Sequence, residues 1–380
     1  MSNGDAKAAL DPVRSPEEGD RAPQPGIALC LSGGGYRAML FHLGVLWRLA
    51  ELGYLARLAR ISSVSGGSIT AGHLALRWTQ LASGRFEGFR TEVVEPIRAL
   101  ARRTLDVRSV LGGLFLPGTV SDKVAAAYER YLYGQATLQD FPDSPRFVLN
   151  ATNVQTGALW RFSKPYMRDY LVGEVKHPKV KVAQAVGASS AFPPFLSPAF
   201  LELDPSSFTA GSFGPCGVPP YTERAVLTDG GVYDNLGLET AWKRYDTILV
   251  SDAGQKMDPQ PKPHEDWAMH SKRVLDLVDN QVRSLRKRQI VQSFIAGERK
   301  GTYFGIGADI EQYPAPGRLP CPAPRTAELA GVDTRLAALD EPMQERLINW
   351  GYALADAALR HWLDKSLPAP SGFPYPKAAV

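Results

Sequence analysis

From residue 26 the chain alternates two hydrophobic rhythms. Ile27-Ala28-Leu29-Cys30-Leu31 is an unbroken apolar run, which suits a strand covered on both faces. Tyr36 to Leu52 is apolar nearly all round and predicts a buried helix, with Gly53 as its stop. A short strand around Arg60 to Val64 and a helix from about Gly67 to Leu81 repeat the unit. Residues 85–140 read as helical, broken by Leu111-Gly112-Gly113-Leu114-Phe115-Leu116-Pro117-Gly118. Phe147-Val148-Leu149 and Trp160-Arg161-Phe162, with Gln155-Thr156-Gly157 between them, predict a hairpin. A helical stretch from Val180 to Ala191 ends at Phe192-Pro193-Pro194. There follow a strand at Ala225–Thr228, a helix at Asn235–Lys243, a strand at Thr247–Val250, a long basic amphipathic helix at His270–Arg299 and a strand at Thr302–Ile306. Residues 309–330 hold many prolines and glycines and predict a loop. Pro342–Leu363 predicts an amphipathic helix with proline in its first turn. The alternation argues for one layered α/β structure rather than separate domains.

Composition narrows the function classes. The chain has 380 residues, an apolar fraction of 44% and a net charge of +4. That charge implies no nucleic-acid partner, although Arg283, Arg286, Lys287 and Arg288 cluster locally. The three cysteines, Cys30, Cys216 and Cys321, have neither metal-ligand nor disulfide-framework spacing, so a reducing cytoplasm is the simpler expectation. Residues 1–24 offer little to bury and read as a disordered leader without the apolar core of a signal peptide. No run approaches the roughly 20 apolar residues that span a bilayer. A soluble or peripheral protein is expected.

Three short constellations carry chemistry. Ser32-Gly33-Gly34-Gly35-Tyr36-Arg37 joins a strand to a helix, and its glycines let backbone N–H groups approach a ligand at the positive end of the helix dipole. Arg37 would orient this loop or meet a phosphate. Ser63-Val64-Ser65-Gly66-Gly67 has the form of a nucleophile elbow, with Ser63 where a glycine is usual. Asp229-Gly230-Gly231 places a carboxylate at the end of a strand, on the edge where ligand sites of open α/β sheets collect. The glycine loop alone is as compatible with an ordinary tight turn, and the aspartate alone with a plain Asp-Gly turn. Among the six histidines, His264 and His270 follow Asp229 in the order expected of a Ser-Asp-His triad, but neither has a distinctive setting.

Taken in order, these segments resemble the patatin-like phospholipase family. The resemblance covers roughly residues 26–255. It includes Ala188-Ser189-Ser190-Ala191-Phe192-Pro193-Pro194 and Asn150-Ala151-Thr152-Asn153 with Thr156-Gly157, and departs at Ala38 and Ser63, both small residues. It implies an α/β fold, a three-layer α/β/α sandwich with a central mostly parallel sheet and helical additions. The corresponding division is a leader (1–24), a catalytic domain (25–308), a loop and helical part packed on it (309–364) and a proline-rich tail (365–380). It also implies Ser65 as nucleophile and Asp229 as general base without histidine. Gly33, Gly34, Gly35 and Gly66 would form the oxyanion hole, with support from Arg37, Gly67, Gly230 and Gly231, and no cofactor or metal. The expected substrates are phospholipid or lysophospholipid acyl esters, with peripheral membrane contact. Two rivals are an esterase with a His264 or His270 triad and an inactive lipid-binding scaffold.

Overall fold

The computed structural model describes residues 23–105, 119–254, 257 and 259–380. The leader through residue 22 and the apolar, glycine-broken stretch at 111–118 lie outside the described residues.

The predicted doubly buried strand is β1 (Gln24–Leu31), with Ala28 to Leu31 fully buried. Around it lie β2 (Leu58–Val64), β3 (Arg146–Asn153), β9 (Tyr245–Asp252) and β10 (Lys300–Gly305). These five run parallel in the order β10-β9-β1-β2-β3. Beyond β3 the sheet turns antiparallel through β4 (Leu159–Phe162), β5 (Tyr166–Asp169) and β6 (Gly173–Lys176), where β4 is the return arm of the predicted hairpin. A second antiparallel pair, β7 (Ala199–Glu202) and β8 (Arg224–Asp229), also joins β3.

Alternation along β1 divides the core between two faces. Leu29 and Leu31 pack in the larger cluster with α1 (Gly35–Glu51) and α2 (Gly66–Ser83), whereas Ala28 and Cys30 pack in the smaller one with Leu236, Leu238 and Ile290. Helices therefore cover both faces, giving three layers. The larger face also carries α3 (Glu95–Ala101), α4 (Val120–Tyr128) and α5 (Val182–Ser189). The predicted helix at Asn235–Lys243 is instead α6 (Gly231–Asp234) and α7 (Glu239–Trp242), parted by a turn in which Gly237 takes φ +65°. The long basic helix is α8 (Trp267–Ile295). Part of the expected loop at 309–330 is helical: α9 (Ala323–Ala330) starts after Pro322, whose ring fixes φ but leaves the following turn free to form. The last helix, α10 (Glu341–Ala358), is capped by Asp340 and packs along α1. The proline-rich tail folds back, burying Tyr375, Ala378 and Val380.

No helix among the described residues is long and apolar enough to cross a membrane.

Candidate active site

Register on β3 explains how Ser65 and Asp229 come together. β2 pairs with Arg146 to Asn150, ending at Val64 opposite Asn150. β4 and β8 both pair with Ala151 and Thr152, so they occupy opposite edges of β3. β8 therefore takes over the edge that β2 leaves, running the other way, and Asp229 lies opposite Ala151. The carboxyl ends of β2 and β8 meet head-on there, with Ser65 one residue past Val64.

The turn at Ser65 is strained. Ser65 has φ 51° and ψ −120°, a conformation disfavoured for a side chain with a Cβ. The two following glycines permit it by closeness rather than by flexibility. A Cβ on Gly66 would lie 2.2 Å from the Gly35 carbonyl oxygen, and one on Gly67 would lie 2.5 Å from that of Leu31. Elbow and glycine loop are thus in backbone contact.

Serines hold the turn from beneath. The Ser65 N–H donates to Ser189 Oγ (3.0 Å), and Ser189 Oγ donates to the Asn150 carbonyl (2.6 Å). With its proton so committed, Ser189 accepts from Ser68 (2.9 Å), and Ser68 in turn accepts from Ser63 (3.0 Å). Ser63, the departure from a glycine in the elbow, is accommodated because its hydroxyl finds this partner. The same short segment grips Asp229: its N–H donates to the Ala191 carbonyl and the Gly230 N–H to the Ser189 carbonyl. Thr152 Oγ1 donates to the Asp229 carbonyl. Ser189 was legible only as part of a family-like segment; its partners come from strands distant in the chain.

Asp229 is 2% exposed and Ser65 8%. Gly231 N–H donates to Asp229 Oδ1 (2.7 Å), while Oδ2 has no hydrogen-bond partner among the described residues. Burial pushes the Asp229 carboxyl up to about 7, against the opposing pull of the Gly231 N–H and the Ser65 hydroxyl, with Asp279 adding a smaller upward push. No aligned hydrogen bond joins Ser65 to Oδ2 among the described residues, as is common before substrate binds.

In the glycine loop, the amides of Gly34, Gly35 and Gly66 donate to no other described group. Gly33 differs from expectation: its N–H donates to the Asn235 carbonyl, and a Cβ on it would collide with the Asn235 side chain and crowd Ser65 Cβ. It is a spacer, already spent as a donor. Gly230 and Gly231 pass close to Asn150 and Asn235, where a Cβ would collide. Arg37 is fully buried and meets no open space. Its guanidinium donates to the carbonyls of Ala253, Ala330 and Val332, and burial lowers its pKa to about 10. It props the loop rather than meeting a phosphate. The segment it ties down also touches the loop directly, since Tyr36 N–H donates to the Arg335 carbonyl.

None of the six histidines bonds to Asp229 or Ser65. His42 is buried and bridges Ser251 Oγ and the Ser32 carbonyl, and burial lowers its pKa to about 4. His73 bonds the Glu92 carbonyl, His264 and His270 lie exposed on the surface, and His270 Nδ1 bonds the His264 carbonyl. No group of three or more metal-ligating side chains occurs among the described residues. A cleft of about 1020 Å³ between Lys176–Val180 and Phe200–Glu202 contains none of the dyad or loop residues.

The family model for patatin-like phospholipase matches residues 29–242. Human GIVD cytosolic phospholipase A2 is similar in structure, with TM-score 0.52 at 16% identity over 89% of this chain and 62% of that one. The same human enzyme in complex with a methyl gamma-linolenyl fluorophosphonate inhibitor and terbium chloride aligns with TM-score 0.50 at 17% identity, over 89% of this chain and 59% of that one. The chain thus spans about three-fifths of the length of these structures. No curated protein sequence matches it. With that family model covering more than half of the sequence and carried on the expected layered sheet, the chain belongs to the patatin-like phospholipase family.

Proposed function

We propose that the protein is a lipid acyl hydrolase working through a Ser65–Asp229 dyad. One observation carries the reading: the strained turn at Ser65 meets head-on a buried aspartate with one oxygen fixed by Gly231 and the other without a partner among the described residues. Asp229 Oδ2 takes the Ser65 proton as Oγ attacks the ester carbonyl carbon. The resulting oxyanion is received by the amides of Gly34, Gly35 and Gly66, each worth about 10²–10³ in rate. The alcohol leaves with the proton from Asp229. Water, deprotonated by the same carboxylate, then attacks the acyl-enzyme, releasing the fatty acid and regenerating Ser65. A carboxyl titrating near 7 is a far better proton acceptor for serine than an ordinary one. The substrate class is the acyl ester of a phospholipid or lysophospholipid. Exposed Phe192, Phe195 and Val232 support it, since they follow closely on Ala191 and Gly231 and offer an apolar approach to the dyad.

Wild type, Ser65→Ala and Asp229→Asn proteins are compared by mass spectrometry on mixed phospholipid liposomes and by fluorophosphonate labelling. Fatty-acid release is expected to fall at least roughly 10³-fold in both variants, with the label lost in Ser65→Ala. Equal release from wild type and Ser65→Ala would remove the dyad. A wild type that neither labels nor releases fatty acid would favour the inactive scaffold.

A further inference from the structure

Asn235 stands between the two glycine turns with a side chain that no neighbour engages. It follows α6 directly, and its carbonyl takes the Gly33 N–H (3.1 Å). A Cβ on Gly33 would strike the Asn235 Oδ1 and lie 3.2 Å from Ser65 Cβ. One on Gly231 would lie 2.8 Å from the same Oδ1 and 2.9 Å from Asp229 Oδ1. The amide oxygen therefore neighbours Ser65 and Asp229 at once, and glycine on both sides leaves it bare. Neither Oδ1 nor Nδ2 bonds to another described group, and neither is sealed from solvent.

The backbone holds this side chain in place. Asp234 is buried and accepts from the N–H groups of Leu236 (3.2 Å) and Glu239 (2.7 Å), and it pairs with Arg286 of α8 (3.5 Å). Asn235 is thus fixed by Gly33 on one side and by the Asp234 turn on the other. A polar group held this firmly, yet given no partner, is available to a ligand.

The chemistry proposed for the dyad has one reactant without a place. The amides of Gly34, Gly35 and Gly66 serve the oxyanion, and Asp229 Oδ2 takes a proton in both halves of the reaction. The second half also needs a water aimed at the acyl carbon. A water has two protons. With one on Asp229 Oδ2 and the other on Asn235 Oδ1, a lone pair is left for the carbon.

We propose that Asn235 is a catalytic residue of deacylation, its Oδ1 holding the attacking water against Asp229. The role rests on the dyad reading. The water oxygen bonds to the acyl carbon as one of its O–H bonds breaks and that proton passes to Asp229 Oδ2. The bond from carbon to Ser65 Oγ then breaks, Oγ takes the proton back, and the fatty acid leaves.

Wild type, Asn235→Ala, Asn235→Leu and Ser65→Ala proteins are mixed rapidly with soluble p-nitrophenyl butyrate, whose good leaving group makes acylation independent of this water. Both Asn235 variants should release a burst of about one p-nitrophenolate per active site. They should then turn over about 10²-fold more slowly than wild type. Fluorophosphonate labelling of Ser65 should stay within about twofold of the wild-type rate. Leucine keeps the volume and removes the acceptor, so it separates lost alignment from a cavity. Hydroxylamine, a stronger nucleophile than water, should speed the slow phase of the variants and leave wild type nearly unchanged. Labelling and turnover slowed together, with no burst, would make Asn235 a structural prop and overturn the proposal. Unslowed turnover, or a slow phase that hydroxylamine does not speed, would also overturn it. A wild type that neither labels nor turns over the ester would overturn the dyad, and this role with it.

Discussion

The burial that would make Asp229 a base in the proposed dyad has a cost. Its carboxyl is at about 7 in the folded chain and near 3.9 in an unfolded one. Between those values the native state holds the proton that the unfolded state has lost. Stability relative to an ordinary carboxyl is therefore fully present below about pH 4 and is lost as pH rises through about 7. Activity should rise through the same range, since the base must be ionised. Asp229→Asn should thus gain stability progressively from pH 4 to 7, by an amount on the order of a few kcal/mol above pH 7. Calorimetry at pH 5 and pH 8 checks this, and a gain no larger at pH 8 would show that the carboxyl is not raised. At this scale the sequence was informative wherever chemistry is local. An elbow and an Asp-Gly-Gly turn are short-range patterns, and Ser65 and Asp229 could be read from them. Gly33 as a spent donor and Ser189 as a clamp could not, because their partners Asn235 and Asn150 are set by the sheet.

Elements repeat the lesson with packing in place of hydrogen bonds. The periodicity of α1 and α10 predicts two helices, but not that they lie on one another. Their contact is backbone to backbone: a Cβ on Gly44 would lie 1.9 Å from the Ile348 carbonyl oxygen, and one on Gly351 would lie 2.0 Å from that of Phe41. Gly351→Val must therefore force the helices apart and should cost about 3 kcal/mol or more. Because α1 begins at Gly35, fluorophosphonate labelling of Ser65 should slow as well. Gly53→Ala is the control. Its Cβ would meet nothing, and only the positive φ of 70° opposes it, at about 1 kcal/mol. Similar denaturation midpoints for the two variants would refute the close contact. A glycine in a helix is normally a weakness in a sequence reading, so nothing in the local pattern marks these two as the fitted surfaces.

For the molecule as a whole, the strand-helix alternation made the layered fold legible, whereas the closing of its larger face by the last residues was not. A proline-rich stretch reads as a free tail. Here Asn349 Nδ2 donates to the carbonyls of Tyr375 and Ala378, and Arg98 donates to the Tyr375 hydroxyl. Removing residues 373–380 should leave buried Asn349 and Arg98 short of partners and lower stability by several kcal/mol, since each orphaned buried group costs about 1–3 kcal/mol. Thermal denaturation of the truncated chain gives the answer, and an unchanged midpoint would mean that the tail is dispensable. The head-on meeting of β2 and β8 has a further consequence, in time rather than space. Ser65 and Asp229 are far apart in sequence and are aligned through β3 and the Ser189–Ala191 segment, so neither can recruit the other early. Loop closure over so long a stretch of chain is slow and depends on the sheet between. A chain still emerging from the ribosome has its serine long before its aspartate. The proposed dyad would then be complete only once β8 has joined the sheet beside β3.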